Sequence, residues 1–259
     1  MGGTTEPERD GRGRLGNVIS GLAVAIGFVL FLGGFVWGAL VYRPYTVPTN
    51  SMEPTVMAGD RVLAQRVDGS EVRRGDVVVF TDTVWSNVPM VKRVVGVGGD
   101  TVRCCGPDGR LLLNDAPLDE DYLGSDARPS DIRFEVKVPA GHVFLLGDRR
   151  TGSLDSRAHL QEAGQGTVPV GAITARMDAV VWPRQSMPAR PQVFAGMPGG
   201  TSEPGPVLIQ LAAIVLGGVF VLGGAAWGPV ANLLAGRRGG RGGDTFARGD
   251  GSRNSDVVH

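Results

Sequence analysis

Lysine is nearly missing from this chain of 259 residues: Lys92 and Lys137 stand against 24 arginines. Cysteine is as scarce, with only Cys104 and Cys105, so no disulfide framework is possible. With three histidines in all, a zinc cluster is excluded as well. Excess charge is absent, 26 basic residues balancing 26 acidic ones, which removes the basic footprint of a dedicated nucleic-acid binder. The 41 glycines keep no three-residue period, which removes collagen.

Charge is also missing locally. No charged side chain lies between Arg14 and Arg43, and the apolar run 18–42 holds 25 residues, where ~20 helical residues cross a bilayer core. A second uncharged stretch lies between Glu203 and Arg237, centred on residues 207–227. Glycine recurs in both, and Trp37, Tyr42 and Trp227 lie near the ends, where aromatic rings settle at headgroup level. A cleavable signal peptide is the bland alternative for the first run. It would have an apolar core of only ~7–15 residues and a small-residue cleavage site, which this run lacks before Arg43.

Two membrane spans are therefore expected, at 18–42 and 207–228. They divide the chain into an N-terminal segment 1–17, a central domain 43–206 and a tail 229–259. Arg9, Arg12 and Arg14 precede the first span and Arg237, Arg238 and Arg241 follow the second. The positive-inside rule then places both termini in the cytoplasm, in a two-pass cell-membrane topology with 43–206 on the extracytoplasmic side. Glu6, Glu8 and Asp10 dilute that signal. The tail after Leu234, rich in Gly, Arg, Asp and Ser, has the composition of a disordered segment.

The central domain reads as β. Short Val-rich or alternating runs predict strands over 61–66, 76–80, 90–95, 101–103, 111–113, 134–138, 142–146 and 179–181, punctuated by Gly-Asp, Pro-Asp-Gly and Pro-Ala-Gly turns. Residues 170–175 read as a short helix or turn. No long 3.6-period apolar face occurs there.

The scarcity of lysine makes Lys92 conspicuous inside a Val-rich strand. Unlike arginine, a lysine can give up its proton when buried, because burial disfavours the charged form. A neutral amine of this kind could take a proton from a serine hydroxyl. Taken alone, Lys92 also fits a solvent-facing strand lysine, and Lys137, in an alternating strand with its charges on one face, fits that reading fully. Ser51 stands between Pro48 and Pro54, which stiffen the backbone on both sides. A serine–histidine pair drawing on His142 or His159 is the rival chemistry.

Three stretches, in order after the first span, carry a resemblance. Thr49-Asn50-Ser51-Met52-Glu53-Pro54-Thr55, the Arg74–Val78 and Val91–Gly96 pair, and Gly147-Asp148 through Ser153-Leu154-Asp155-Ser156-Arg157 together resemble the boxes of bacterial type I signal peptidases, membrane-bound Ser–Lys proteases. Residues 180–183 resemble the family's closing strand, so the likeness runs from Tyr45 to Pro183. It implies a mainly β fold, an extracytoplasmic coiled β-sheet domain of the signal-peptidase type flanked by one N-terminal and one C-terminal transmembrane helix. It implies Ser51 as nucleophile, Lys92 as general base, and Ser153 hydrogen-bonded to the Lys92 amine. Asp155 and Arg157 would form a buried ion pair that Arg93 also reaches, and the Ser51 N–H and Thr49 hydroxyl an oxyanion hole. Tyr45, Val47, Met52, Val56, Val62, Met90 and Val91 would line two shallow pockets for an Ala-x-Ala cleavage site. The partners implied are exported preproteins with their signal peptides, membrane lipid and the nearby export translocon, with no nucleic acid, metal or organic cofactor.

Departures from the family pattern are Arg149 after Gly-Asp, Gly98 before Gly-Asp, Leu160 after the Ser-Arg pair, and the second span. Cys104 and Cys105 are open to a vicinal disulfide, two free thiols or an intermolecular link. Two other functions compete: a membrane-anchored β module that only binds exported peptides, and a Ser–Lys protease that cleaves itself.

Overall fold

The computed structural model describes residues 10–124, 128–188 and 190–239, with side chains from 16 to 230 within those ranges. Residues 1–9 and 240–259, which include most of the expected terminal segments, lie outside the described residues. The chain divides into two compact units, the helical ends and residues 37–207.

In the helical unit, α1 spans Asp10–Val41 and α2 spans Val207–Gly239. Their apolar parts, Gly16–Val41 and Val207–Val230, are long enough to cross a membrane. α2 thus continues past 228, where the tail was expected to begin. The two helices meet through glycine. A Cβ on Gly27 would lie 2.8 Å from the Gly217 carbonyl, and one on Gly224 would lie 2.7 Å from Val24. Ser20 Oγ donates to the Gly224 carbonyl at 2.6 Å. Small residues that let backbones approach are the usual means of helix association in lipid.

The β unit is built of β1 (Tyr42–Thr46), β2 (Arg61–Arg66), β3 (Val77–Asp82), β4 (Ser86–Val97), β5 (Thr101–Cys104), β6 (Leu111–Leu113), β7 (Ala116–Pro117), β8 (Phe134–Lys137), β9 (His142–Leu146), β10 (Thr167–Pro169) and β11 (Ile173–Trp182). One sheet has the order β1-β2-β11-β3-β4-β9-β10, and a smaller one β7-β6-β5-β8. The largest apolar cluster draws on both, with Val95, Val102, Leu111, Leu113, Phe134, Phe144 and Leu146 buried together. Cys104 and Cys105, at the end of β5, are joined as a vicinal disulfide.

Three strands escaped the sequence reading, β1, β7 and β10, and β11 starts six residues earlier than expected. β1 carries Arg43 and Pro44 at the sheet edge, where a missing N–H is tolerated. β11 is obscured by Arg176 and Asp178, polar residues inside a strand. Both are buried because they are paired: Arg176 Nη2 donates to Gln65 at 2.8 Å and Asp178 accepts from Tyr42 at 2.9 Å.

The segment after β11 is part of this domain's core. Phe194 is fully buried in the main cluster, against Gly75, whose φ of +86° and bare backbone make the contact possible. Arg74 Nη1 donates to the Pro198 carbonyl at 2.6 Å, and the Ser202 hydroxyl bonds Asp76.

Candidate active site

Ser51 sits on a loop sewn to the sheet at its base and pinned by its own apolar side chains. Val47 N donates to Asp60 O at 2.9 Å and Gly59 N to Val47 O at 2.7 Å, which closes the loop. Met52 and Val56, fully buried, drive it into a cluster with Val47, Val62, Val77, Met177 and Val180. The Ser51 hydroxyl is thereby held in a nearly dry position, with the residue 7% exposed.

Lys92 comes from β4, opposite Val78 of β3, and is 5% exposed. Its Nζ lies 3.0 Å from Ser51 Oγ and 3.1 Å from the Val91 carbonyl. Burial pushes the Lys92 amine below its usual value, against the opposing pull of the Asp155 and Asp148 charges. Thr49 Oγ1 is 3.3 Å from Ser51 Oγ. Lys137, on β8, is exposed. The rival histidines engage other groups: His159 stacks on Trp85 and faces Glu162, while His142 contacts the Ala140 carbonyl.

Ser153 departs from expectation. Its hydroxyl is buried without a hydrogen-bond partner, so it does not hold the Lys92 amine, whose second contact is the Val91 carbonyl. It does lie close to the site. Gly147 has no side chain because a Cβ there would collide with Ser153 and come within 2.6 Å of the Ser51 carbonyl.

The ion pairs are redistributed as well. Asp155 and Arg157 pair as expected, at 2.8 and 2.7 Å, and Asp155 also accepts from the Gly147 N–H at 3.0 Å. With these oxygens occupied, Arg93 does not reach Asp155. It faces Asp148 instead, through Nε at 2.8 Å and Nη2 at 2.6 Å. Arg93 Nη1 adds the Gly75 carbonyl at 2.7 Å, and Tyr122 covers the guanidinium at 4.5 Å. Burial disfavours the Arg93 charge, but the Asp148 carboxylate outweighs it and holds the group above its usual value. Thr55 ties this pair to the serine loop: its hydroxyl donates to Asp148 and accepts from Arg93 Nη2 at 3.1 Å. Arg150 pairs with Glu120 at 2.7 Å, both buried. The roles of Asp148, Thr55, Tyr122 and Arg150 were not assigned from sequence, although Asp148, Thr55 and Arg150 belong to the boxes quoted above.

Of the seven expected pocket residues, Val47, Met52, Val56 and Val62 share one buried cluster, with Tyr45 and Val91 packed against it. Met90 does not join them. It packs with Val78, Phe80 and Val94, the other face of the sheet from Val91, because neighbouring strand residues point to opposite sides.

A buried hydroxyl beside an amine that burial keeps toward its neutral form is equipped for proton transfer and nucleophilic attack. Among the described residues, no three His, Cys, Asp or Glu side chains converge to hold a metal ion.

Comparison with known proteins adds to this geometry. Residues 17–182 match the protein family described as Signal peptidase, peptidase S26. Signal peptidase I of Mycobacterium tuberculosis is 31% identical over 218 residues, covering 64% of this chain and 71% of that protein. Signal peptidase I of Leptolyngbya laminosa is 35% identical over 147 residues, covering 53% of this chain and 67% of that protein. The crystal structure of a signal peptidase I from Enterococcus faecalis aligns with a TM-score of 0.33 at 28% identity, over 40% of this chain and 94% of that one.

Proposed function

Because the chain belongs to the signal peptidase I family, membrane-anchored serine endopeptidases that remove signal peptides from exported preproteins, we propose that Ser51 is its nucleophile and an uncharged Lys92 its general base. The observation that carries the reading is the 3.0 Å separation of Lys92 Nζ and Ser51 Oγ, both buried.

In the proposed reaction Ser51 Oγ attacks the scissile carbonyl while Lys92 Nζ takes the hydroxyl proton. The negative charge that develops on the carbonyl oxygen is met by the Ser51 N–H and the Thr49 hydroxyl. Lys92 then passes its proton to the amine of the departing mature protein, leaving the signal peptide esterified to Ser51. Water, deprotonated by Lys92, releases it.

The substrate binds extended, by strand addition, with backbone hydrogen bonds supplying affinity and alternate side chains selection. Shallow pockets lined by the apolar side chains of Tyr45, Val47, Met52, Val56, Val62 and Val91 would admit small groups and exclude larger ones, which favours alanine before the cut and an Ala-x-Ala site. Both termini are cytoplasmic, residues 43–206 are extracytoplasmic between spans 18–42 and 207–228, and the enzyme works in membrane lipid beside the export translocon.

The test incubates the detergent-solubilised full chain with a preprotein carrying an Ala-x-Ala site. Wild type is expected to release the signal peptide, and Ser51→Ala and Lys92→Ala to abolish release. Unchanged processing by either variant would overturn the assignment.

A further inference from the structure

We propose that Arg149, held beside the nucleophile by Glu53, reads an acidic side chain in the first two residues of the mature protein, just past the scissile bond. The proposal rests on Ser51 being the nucleophile.

The placement follows from one backbone contact. Arg149 N donates to the Ser51 carbonyl at 3.0 Å, so the Arg149 side chain leaves the chain next to the reacting residue. Its guanidinium reaches Glu53, two residues beyond Ser51, through a single bond from Nη1 at 3.1 Å. Gly152 supplies the bare backbone beneath it, since a Cβ there would come within 3.2 Å of Arg149 Nε.

Arg149 is unlike the other arginines of this loop. Arg150 and Arg157 are sealed, with side chains 1% and 9% exposed, and each spreads its donors over several acceptors. The Arg149 side chain is 43% exposed, and of its donors only Nη1 is engaged among the described residues. A lone pair exposed to water adds little to folding stability. A guanidinium with open N–H groups is instead suited to grip a carboxylate with two bonds.

Sheet order gives the direction. Tyr45 and Val62 of the apolar cluster come from β1 and β2, and β11 contributes Met177 and Val180. Arg149 lies in the loop after β9, beyond β4 from those strands. A peptide with the residues before its cut on the apolar cluster passes Ser51 and continues toward Arg149 and Glu53. Arg149 has the greater exposure and the open donors, so acid is favoured over base, with Glu53 moderating the preference.

The test measures kcat/KM of the full-length enzyme on preproteins that differ only in carrying Asp or Lys as the first two residues after the Ala-x-Ala site, with a Ser version as reference. The Asp-to-Lys ratio is expected to be about threefold at low ionic strength and to fall toward one in ~1 M salt. Glu53→Gln should raise it and Arg149→Gln should bring it below one, while Arg103→Gln, an exposed charge in the second sheet, should not move it. Because each ratio is taken within one variant, a general loss of activity does not affect it. A flat ratio in wild type with normal cutting of the Ser version, a ratio unmoved by Arg149→Gln, or an equal shift from Arg103→Gln overturns the proposal for Arg149 alone. Absence of any cutting would overturn the parent reading with it.

Discussion

The guanidinium of Arg93 and the carboxylate of Asp148 face each other through two hydrogen bonds in a space closed to water, their side chains 2% and 0% exposed. The pair is more than an ionic contact, because Thr55 bonds to both members and Arg149 N, next in sequence to Asp148, bonds to the Ser51 carbonyl. It therefore props the serine loop from behind.

Removing one member leaves the other charged and buried. Asp148→Ala is expected to lower stability by about 3–5 kcal/mol. Replacing both, as Arg93→Met with Asp148→Leu, should recover much of that loss, since two apolar groups leave no charge stranded. Denaturation midpoints of the two variants in the same detergent give the comparison. A double variant less stable than Asp148→Ala would mean that the network, not the stranded charge, dominates.

As the proposed general base, Lys92 would tie activity as well as stability to pH. Burial lowers its folded-state value, so between that value and the unfolded ~10.4 the unfolded chain binds the extra proton and stability rises with pH. Lys92→Met, which removes the buried amine, should be more stable than wild type at pH 7, and the difference should close as pH approaches ~10.4. The kcat/KM of wild type should climb with pH as Lys92 loses its proton. A stability difference constant across that range, or full activity well below pH 6, would contradict a lysine base.

Thr49 Oγ1 lies 3.3 Å from Ser51 Oγ, and its proposed role is to meet charge that develops only during reaction. Thr49→Val keeps the side-chain shape and should reduce kcat ~10²–10³-fold with a small change in KM. Steady-state kinetics on an Ala-x-Ala preprotein measure the split, and a pure KM effect would remove Thr49 from the oxyanion hole.

Phe194 lies twelve residues beyond the family match, which ends at residue 182, yet it is fully buried against Gly75, whose carbonyl accepts from Arg93. Phe194→Ala should therefore cost about 3–5 kcal/mol, and Phe194→Leu distinctly less. Thermal unfolding of both variants checks this, and a near-neutral alanine variant would show that the segment 190–206 only rests on the domain.

Much of this protein was legible from sequence because the relevant properties are local. Hydropathy over twenty-odd residues marks α1 and α2, and short apolar or alternating runs between turn signals mark β2, β6 and β9 to the residue. The isolated lysine and the proline-bracketed serine were open to blander readings, and only the resemblance of three boxes to a known family singled them out as the pair that the fold brings to 3.0 Å.

Other features belong to tertiary structure alone. The register of β4 on β9 sets Arg93 opposite Leu146, and Asp148, two residues further on, falls within reach of its guanidinium, while Asp155 is committed elsewhere. Arg176 and Asp178 inside β11 broke the strand pattern because their partners lie 12 to 136 residues away. The orphaned hydroxyl of Ser153 is likewise invisible in a string of residues. Hydrophobic patterning specifies which segments are buried and in what form. Which polar groups meet depends on strand register and loop packing, distances that the whole fold must settle together.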